Sequence, residues 1–212
     1  MKNKKQFILF DNDGVLVHTE PLYYEANLKT FAEMGIQVDE KSYHEIMIAG
    51  SSIFSIAESK GFNEHEIRLW RDKRNEYYQE LISSQDIVIP GALKVIEALS
   101  KRFQMGIVTT SRRVDFEMIH KEGHFTQYME FILCVEDYPR AKPYPDPYLA
   151  GLLRFKATRD QAIVVEDSER GLRSAFNAGI DCIIVENAFT ATHDFTGALS
   201  RIKKLDGLLD LL

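Results

Sequence analysis

Five short apolar runs, rich in Ile, Val and Phe, alternate with longer amphipathic or polar segments in this sequence. Runs of this length without polar alternation are typical of strands that are covered on both faces. Helix start signals lie between the later runs, so strand and helix alternate from about residue 90 onward. This alternation predicts an α/β fold, with a parallel sheet and helices on both of its faces. The runs are residues 7–10, 105–109, 131–135, 162–165 and 182–185, and the helix signals are Pro90-Gly91, Asp146-Pro147, and Ser168 with Gly179.

The segment after the first run breaks this rhythm. Residues 19–89 are rich in Tyr and Glu, contain no clear strand, and have helical periodicity at residues 21–34, 40–49, 51–59 and 64–83. An all-helical insertion after the first strand of a Rossmann-like core is a cap, although an ordinary helical part of one core has the same periodicity. We expect residues 1–18 and 87–212 to form the α/β catalytic core and residues 19–86 to form a helical cap.

Composition and charge restrict the possible partners. The chain has 212 residues, of which 45% are hydrophobic and 27% charged, so it can bury a core as one compact unit with one appended subdomain. The net charge of −6 argues against nucleic acid and membrane partners, because polyanionic surfaces attract a basic excess. No apolar run approaches the ~18 residues that span a bilayer, and the N-terminal apolar stretch is too short for a signal peptide. We expect a cytoplasmic protein, monomeric or weakly dimeric, that acts on a small molecule.

Two carboxylates directly follow the first apolar run. Extended backbone turns alternate side chains to opposite sides, so Asp11 and Asp13 can point into one pocket while Asn12 points away. Two such charges repel each other, and a hard cation such as Mg²⁺ allows both to ionise. A turn with an Asx hydrogen bond remains an alternative; a calcium loop does not, because Val15 and the region of Leu22 lack the further oxygen ligands.

Polar side chains also follow the later predicted strands, and parallel strands bring their carboxyl ends to one edge of the sheet. Each group has a simpler explanation, as a strand end, a solvated lysine or a helix cap. Their common position nevertheless predicts one site with hydroxyl groups, an ammonium group and an acidic pair around Asp11. The groups are Thr109-Thr110-Ser111, Lys142 in a proline-rich loop, and Glu166-Asp167-Ser168.

These segments resemble the four motifs of the haloacid dehalogenase superfamily, in its phosphatase branch with a helical cap. The motifs are DNDGVLVHTEP at Asp11, GIVTTS at Thr109, AKPYPDPY at Lys142 and VVEDSERG at Glu166. The resemblance implies hydrolysis of a phosphate ester through an aspartyl-phosphate, with Asp11 as nucleophile and Asp13 as general acid and base. It also implies phosphate contacts from Thr109, Thr110, Lys142 and Asn12, and a Mg²⁺ site formed by Asp11, Asp13 through its carbonyl, Glu166 and Asp167.

Departures from the family pattern bear on the substrate and on two alternative functions. Position 18 is His where many relatives carry Asp. Beta-phosphoglucomutases carry a cap histidine where Tyr23 stands and a cap arginine near Gly50, Ser51 and Ser52. This sequence has neither the histidine nor the arginine, which weakens a phosphomutase interpretation. Tyr23, Gly50, Ser51 and Ser52 are the candidate substrate contacts in the cap. A non-catalytic binding module with the same fold is the remaining alternative, against which the intact set of acidic residues and Lys142 argues.

Overall fold

The computed structural model describes residues 5–212, in which one parallel sheet is the central feature. Its strands are β1 (Phe7–Phe10), β2 (Gln104–Val108), β3 (Phe131–Leu133), β4 (Ala162–Glu166), β5 (Asp181–Val185) and β6 (Ser200–Ile202). They are ordered β3-β2-β1-β4-β5-β6, and every neighbouring pair is parallel. The α/β fold class predicted from the sequence is confirmed. The chain builds outward from β1 in one direction through β2 and β3 and then in the other direction from β4, so β1 lies at the topological switch point.

Helices connect the strands and form a separate group after β1. They are α1 (Glu20–Glu33), α2 (Glu40–Ile48), α3 (Ser55–Ser59), α4 (Glu64–Ser84), α5 (Ala92–Ser100), α6 (Arg113–Ile119), α7 (Asp146–Phe155), α8 (Glu169–Ala178) and α9 (Leu208–Leu211). No helix in residues 5–212 combines the length and apolar character needed to cross a membrane.

The core lies on both faces of the sheet. Leu9 and Val164 project to one face, where they pack in a buried cluster with Leu152 of α7 and Ala175 of α8. Their neighbours along each strand project to the opposite face by the alternation of extended backbone, and these are buried as well, as Ile8 shows with no exposed area. Burial on both faces explains why the strands read as continuous apolar runs.

The start of α8 is fixed by its own sequence. Ser168 is the N-cap, and its hydroxyl accepts a hydrogen bond from the amide of Gly171 at 3.2 Å. Gly179 ends the helix in the left-handed conformation at φ 72°, which suits a residue without Cβ. The first turn of α8 therefore begins directly after the polar residues at the end of β4.

The chain divides into two compact units. One holds the described residues up to His18 together with Val88–Leu212, and the other is Thr19–Ile87, which contains α1 to α4. In the helical unit, Glu33 of α1 pairs with Lys73 and accepts a hydrogen bond from Tyr77 of α4 at 2.6 Å. Residues 51–54 are not the start of a helix as predicted: Ser51 and Ser52 are irregular, residues 53–54 form a turn, and α3 begins only at Ser55.

The two ends of the helical insertion meet within the sheet unit. Val17 and Val88 form an isolated antiparallel bridge, and the amide of Ile89 donates to the carbonyl of Leu16 at 3.0 Å. The segment that leaves the sheet unit and the segment that returns to it therefore lie side by side.

Candidate active site

The register of the three central strands brings the sequence-predicted residues together. Phe10 of β1 pairs with Ile107 of β2 on one side and with Val165 of β4 on the other. Asp11, one residue later, therefore lies level with the ends of both neighbours, and its amide donates to the carbonyl of Val165 at 2.9 Å. Residues from three distant parts of the sequence meet at one sheet edge for this reason.

An acidic cluster lies at this edge. Carboxylate oxygens of Asp11, Glu166 and Asp167 lie within 4.8 Å of one another, and all three residues are buried. Burial raises the pKa of Asp11 well above its ordinary value, and the nearby charge of Glu166 raises it further. Three buried carboxyl groups this close need positive charge, and oxygen ligands in this number and spacing suit a hard divalent cation such as Mg²⁺. The side chains present thus fit the ion that the motifs imply.

Lys142 supplies one positive charge to the cluster. Its Nζ lies 2.9 Å from Oδ1 of Asp11 and 2.6 Å from Oε1 of Glu166, and it donates to the carbonyl of Val108 at 3.0 Å. Three acceptors match the three protons of an ammonium group. Burial alone would lower the pKa of Lys142, but the charges of Asp11 and Glu166 outweigh it and the pKa is raised. The lysine is therefore charged and joins the nucleophile candidate to the acidic pair.

Glu166 is held more tightly than its neighbours. Its Oε1 accepts from Lys142 at 2.6 Å and from the Tyr148 hydroxyl at 2.7 Å. Its Oε2 accepts from the amides of Asp167 and Ser168 at 3.1 and 3.2 Å and from the Ser168 hydroxyl at 3.0 Å. Burial opposes ionisation, but Lys142 and these hydrogen bonds lower the pKa of Glu166 below its ordinary value. With both oxygens engaged by protein donors, Glu166 anchors the site electrostatically, and its role as a metal ligand stays a prediction.

A glycine makes room for this anchor. A Cβ added at Gly171 of α8 would lie 1.9 Å from Cδ of Glu166, which is far inside van der Waals contact. The first turn of α8 can approach the carboxylate only because residue 171 has no side chain. The glycine is visible in the sequence, but its partner is not.

Asp167 is oriented by a residue that the sequence analysis did not identify. The Nδ2 of Asn187, which follows β5, donates to Oδ2 of Asp167 at 2.8 Å. The Oδ1 of Asn187 in turn accepts from the amide of Thr190 at 3.0 Å and from its hydroxyl at 3.2 Å. The only signal in the sequence is a polar residue just beyond a strand.

The carboxylate of Asp13 contacts two hydroxyl groups. Its Oδ2 accepts hydrogen bonds from Thr109 at 3.0 Å and from Ser111 at 2.7 Å. The carbonyl of Thr109 accepts from the Tyr138 hydroxyl at 2.6 Å, which fixes the end of β2. Thr109, predicted to bind phosphate, thus contacts Asp13 in this structure, and Ser111 joins it as an additional contact.

The remaining predicted phosphate contacts have other partners. The amide of Asn12 donates to Oδ1 of Asp11 at 2.7 Å, while its side chain lies against His120. The hydroxyl of Thr110 accepts from the guanidinium of Arg170 at 3.3 Å, so α8 brings a cation besides Lys142 to this edge. Both residues lie beside the site through contacts that their motifs do not specify.

The four predicted substrate contacts of the cap belong to the helical unit. Tyr23 lies in α1, where the guanidinium of Arg74 is 4.3 Å from the centre of its ring. Gly50 follows α2 at φ 70°, and Ser51 and Ser52 after it are exposed. The Ser52 hydroxyl accepts from the amide of Phe54 at 3.3 Å. Substrate contact by these four residues stays a prediction.

The chain is similar to known proteins in both sequence and fold. Residues 8–185 match the family model for haloacid dehalogenase-like hydrolases. Protein CbbY of Cereibacter sphaeroides is 29% identical over 222 residues, covering 96% of this chain and 95% of that protein. The phosphorylated carbohydrates phosphatase of Thermotoga maritima is 27% identical over 183 residues, covering 83% of this chain and 82% of that protein. A crystal structure of CbbY from Rhodobacter sphaeroides with xylulose-1,5-bisphosphate has a TM-score of 0.83 at 25% identity, covering 96% of both chains.

Proposed function

The chain belongs to the haloacid dehalogenase-like hydrolases, as its motifs predict, and from this membership we propose that it is a Mg²⁺-dependent phosphatase acting on a small phosphorylated metabolite. The observation that carries the proposal is the meeting of Asp11, Lys142 and the Glu166-Asp167 pair at one sheet edge. A nucleophile, a fixed cation and an acidic metal site are the parts that phosphoryl transfer requires.

Asp11 is the proposed nucleophile. Attack of its free carboxylate oxygen on phosphorus forms an aspartyl-phosphate and breaks the bond to the leaving oxygen, which divides a very slow hydrolysis into two steps. Lys142 holds Oδ1 of Asp11 at 2.9 Å, and the Asn12 amide contacts the same atom at 2.7 Å. Both contacts orient the carboxylate, so that Oδ2 is the oxygen left for attack.

Asp11, Asp13 through its carbonyl, Glu166 and Asp167 are the residues that would hold Mg²⁺ in this proposal. When bound, the ion supplies positive charge that neutralises the oxygens of the transferring phosphoryl group. Asn187 keeps Asp167 in one orientation through the hydrogen bond of 2.8 Å. Lys142 remains with Asp11 and Glu166 and balances the charge of the carboxylates.

Asp13 is the proposed general acid and base. In the first step its carboxyl group gives a proton to the leaving alkoxide, and in the second it takes a proton from the water that attacks the aspartyl-phosphate. Thr109 and Ser111 both donate to Oδ2 of Asp13 and so hold its carboxyl group in one orientation.

The proposed substrate is a sugar phosphate or a similar phosphorylated metabolite. Two relatives support this class: a phosphatase of phosphorylated carbohydrates, and CbbY, whose crystal structure contains xylulose-1,5-bisphosphate. We further propose that the helical unit, Thr19–Ile87, serves as a cap that limits the access of bulk water during the reaction. This part of the proposal rests on the position of the insertion in the chain, directly after the motif that contains Asp11 and Asp13.

A phosphate-release assay tests the proposal. Purified protein is incubated with Mg²⁺ and a panel of phosphate monoesters that includes hexose phosphates, pentose bisphosphates and 4-nitrophenyl phosphate. We expect metal-dependent release of phosphate that is lost in Asp11→Asn, while the circular dichroism spectrum of that variant is unchanged. Turnover that needs a bisphosphate primer and releases no phosphate would indicate a phosphomutase instead. Absence of turnover on the whole panel would contradict the proposal.

A further inference from the structure

A buried histidine contacts the loop between the two aspartates of the first motif. His120, at the C-terminal end of α6, lies with Nε2 2.7 Å from Oδ1 of Asn12. Asn12 has no exposed area and His120 is 7% exposed, so neither group exchanges this contact for water. Neither the motifs nor the proposed chemistry uses His120.

The orientation of the Asn12 amide is set on both sides. Its Nδ2 faces Oδ2 of Asp13 at 3.5 Å, a long contact, while its Oδ1 faces His120. The opposite orientation would place the amide oxygen of Asn12 against a carboxylate oxygen, which is repulsive. With oxygen toward the ring, Nε2 of His120 must carry the proton and donate it.

The surroundings of His120 support this assignment. Burial lowers the pKa of its imidazole to about 4; the negative charge of Asp13 opposes this lowering, and His124 adds to it. The ring is therefore neutral near pH 7 and carries one proton. Its ring centre lies 4.3 Å from that of Phe116 and 5.6 Å from that of Phe125, so two aromatic rings pack against the imidazole.

The residue that His120 holds is the central element of the motif. The amide of Asn12 donates to Oδ1 of Asp11 at 2.7 Å, and its carbonyl accepts from the amides of Leu16 and Val17 at 2.8 and 3.2 Å. Asn12 therefore contacts one aspartate through its backbone and the other through its side chain. A rotation of the Asn12 side chain would therefore alter its contact with the carboxyl group of Asp13.

We propose that His120 is a positioning residue for the reaction: by donating from Nε2 to Asn12 it fixes the side-chain amide toward Asp13 and keeps that carboxyl group in the orientation needed for proton transfer. The proposal rests on the proposed phosphatase function. His120 itself contacts no substrate, and its effect on turnover passes through Asn12.

A comparison of kcat/KM on two substrates distinguishes this positioning role from a purely structural one. Hydrolysis of an alkyl phosphate needs a proton on the leaving oxygen, whereas 4-nitrophenyl phosphate has a leaving group that departs without one. His120→Phe keeps the packed ring and removes the donor. We expect kcat/KM to fall about tenfold for the alkyl ester, the equivalent of one lost hydrogen bond, and to change less than about twofold for the aryl ester. His120→Gln, whose amide can donate, should restore most of the loss, and His124→Phe is the exposed control.

The outcomes are distinct. Equal losses on both esters, or no loss on either, would overturn the proposal, as would a full additional effect of His120→Phe in an Asn12→Ala background, because coupled residues are non-additive. A ¹⁵N spectrum of the wild-type histidines that placed the His120 proton on Nδ1 would overturn it independently of activity. Wild-type protein that hydrolyses neither ester would overturn the proposed function itself.

Discussion

The ammonium of Lys142 lies 2.9 Å from the carboxylate of Asp11, although the loop that carries the lysine follows β3 and the aspartate follows β1. The side chain of Lys142 is almost wholly buried, and it also contacts Glu166. One cation thus lies against two buried carboxyl groups that come from different strands.

Replacing Lys142 by Met should therefore destabilise the protein and abolish turnover. Removal of one partner leaves buried charges without compensation, and such changes cost about 3–5 kcal/mol of unfolding free energy. Urea denaturation followed by circular dichroism measures the loss. Lys121→Met, at an exposed lysine, is the control and should change stability by less than ~0.5 kcal/mol. Unchanged stability of Lys142→Met would contradict the charge compensation inferred for this site.

Gly171→Ala should destabilise the protein although alanine is the better helix former. In an open helix the change would stabilise by up to ~1 kcal/mol, but here the new methyl group would lie 1.9 Å from the Glu166 carboxyl group. Overpacking of this kind costs about 1–3 kcal/mol, and displacement of Glu166 would also release Lys142. The sign of the change in thermal unfolding temperature decides between the two effects. Phe176→Ala, at an exposed position of the same helix, should be nearly neutral.

Asn187→Ala should weaken Mg²⁺ binding without unfolding the protein. The amide of Asn187 holds Asp167 at 2.8 Å, and loss of such a supporting contact lowers metal affinity by about 10–100-fold. Isothermal titration calorimetry with MgCl₂ measures the affinity directly, in the absence of any substrate. Gln85→Ala removes an exposed amide and should bind Mg²⁺ as the wild type does. Equal affinities in all three proteins would exclude this role for Asn187.

His120 should make stability depend on pH between about 6.5 and 4. Burial lowers its pKa to about 4 in the folded protein, from an ordinary value of 6.5. In this range the unfolded chain binds the proton more readily, so stability increases with pH and is lost as the pH falls. We expect the unfolding free energy to drop by about 2 kcal/mol between pH 7 and pH 5, as the shift in pKa implies. In His120→Phe this part of the drop should be missing, and an identical pH profile in both proteins would contradict the assignment.

The strands of the sheet were predictable because they are buried on both faces. The run at residues 7–10 matches β1, and the other four predicted runs overlap β2 to β5 with differences of one or two residues at their ends. β6 was not predicted, since Ser200–Ile202 is short, lies at the edge of the sheet and is only partly buried. The sequence predicts a helix at residues 51–54, but the chain after Gly50, which has φ 70°, is irregular at Ser51 and Ser52 and forms a turn at residues 53–54.

The candidate site was predictable only where its residues directly follow strands or stand in motifs. Asp11, Thr109 and Glu166 are of this kind, because strand register alone brings them together. His120 and Asn187 are isolated polar residues, and their contacts depend on how a helix end and a loop pack. Tyr148 and Gly171 stand at the ends of two of the quoted motifs, but only the structure relates them to Glu166.

The hydrogen bond between Leu16 and Ile89 allows the helical insertion to change without a change in the reacting residues. The chain returns to the point from which it departs, so the sheet unit is closed by the same contact whatever the intervening segment contains. A longer segment adds little to the entropic cost of that closure. Substitutions, insertions or a wholesale exchange of the helices can then accumulate without moving Asp11 or Asp13. A fold joined in this way can acquire new substrates while its reaction stays the same.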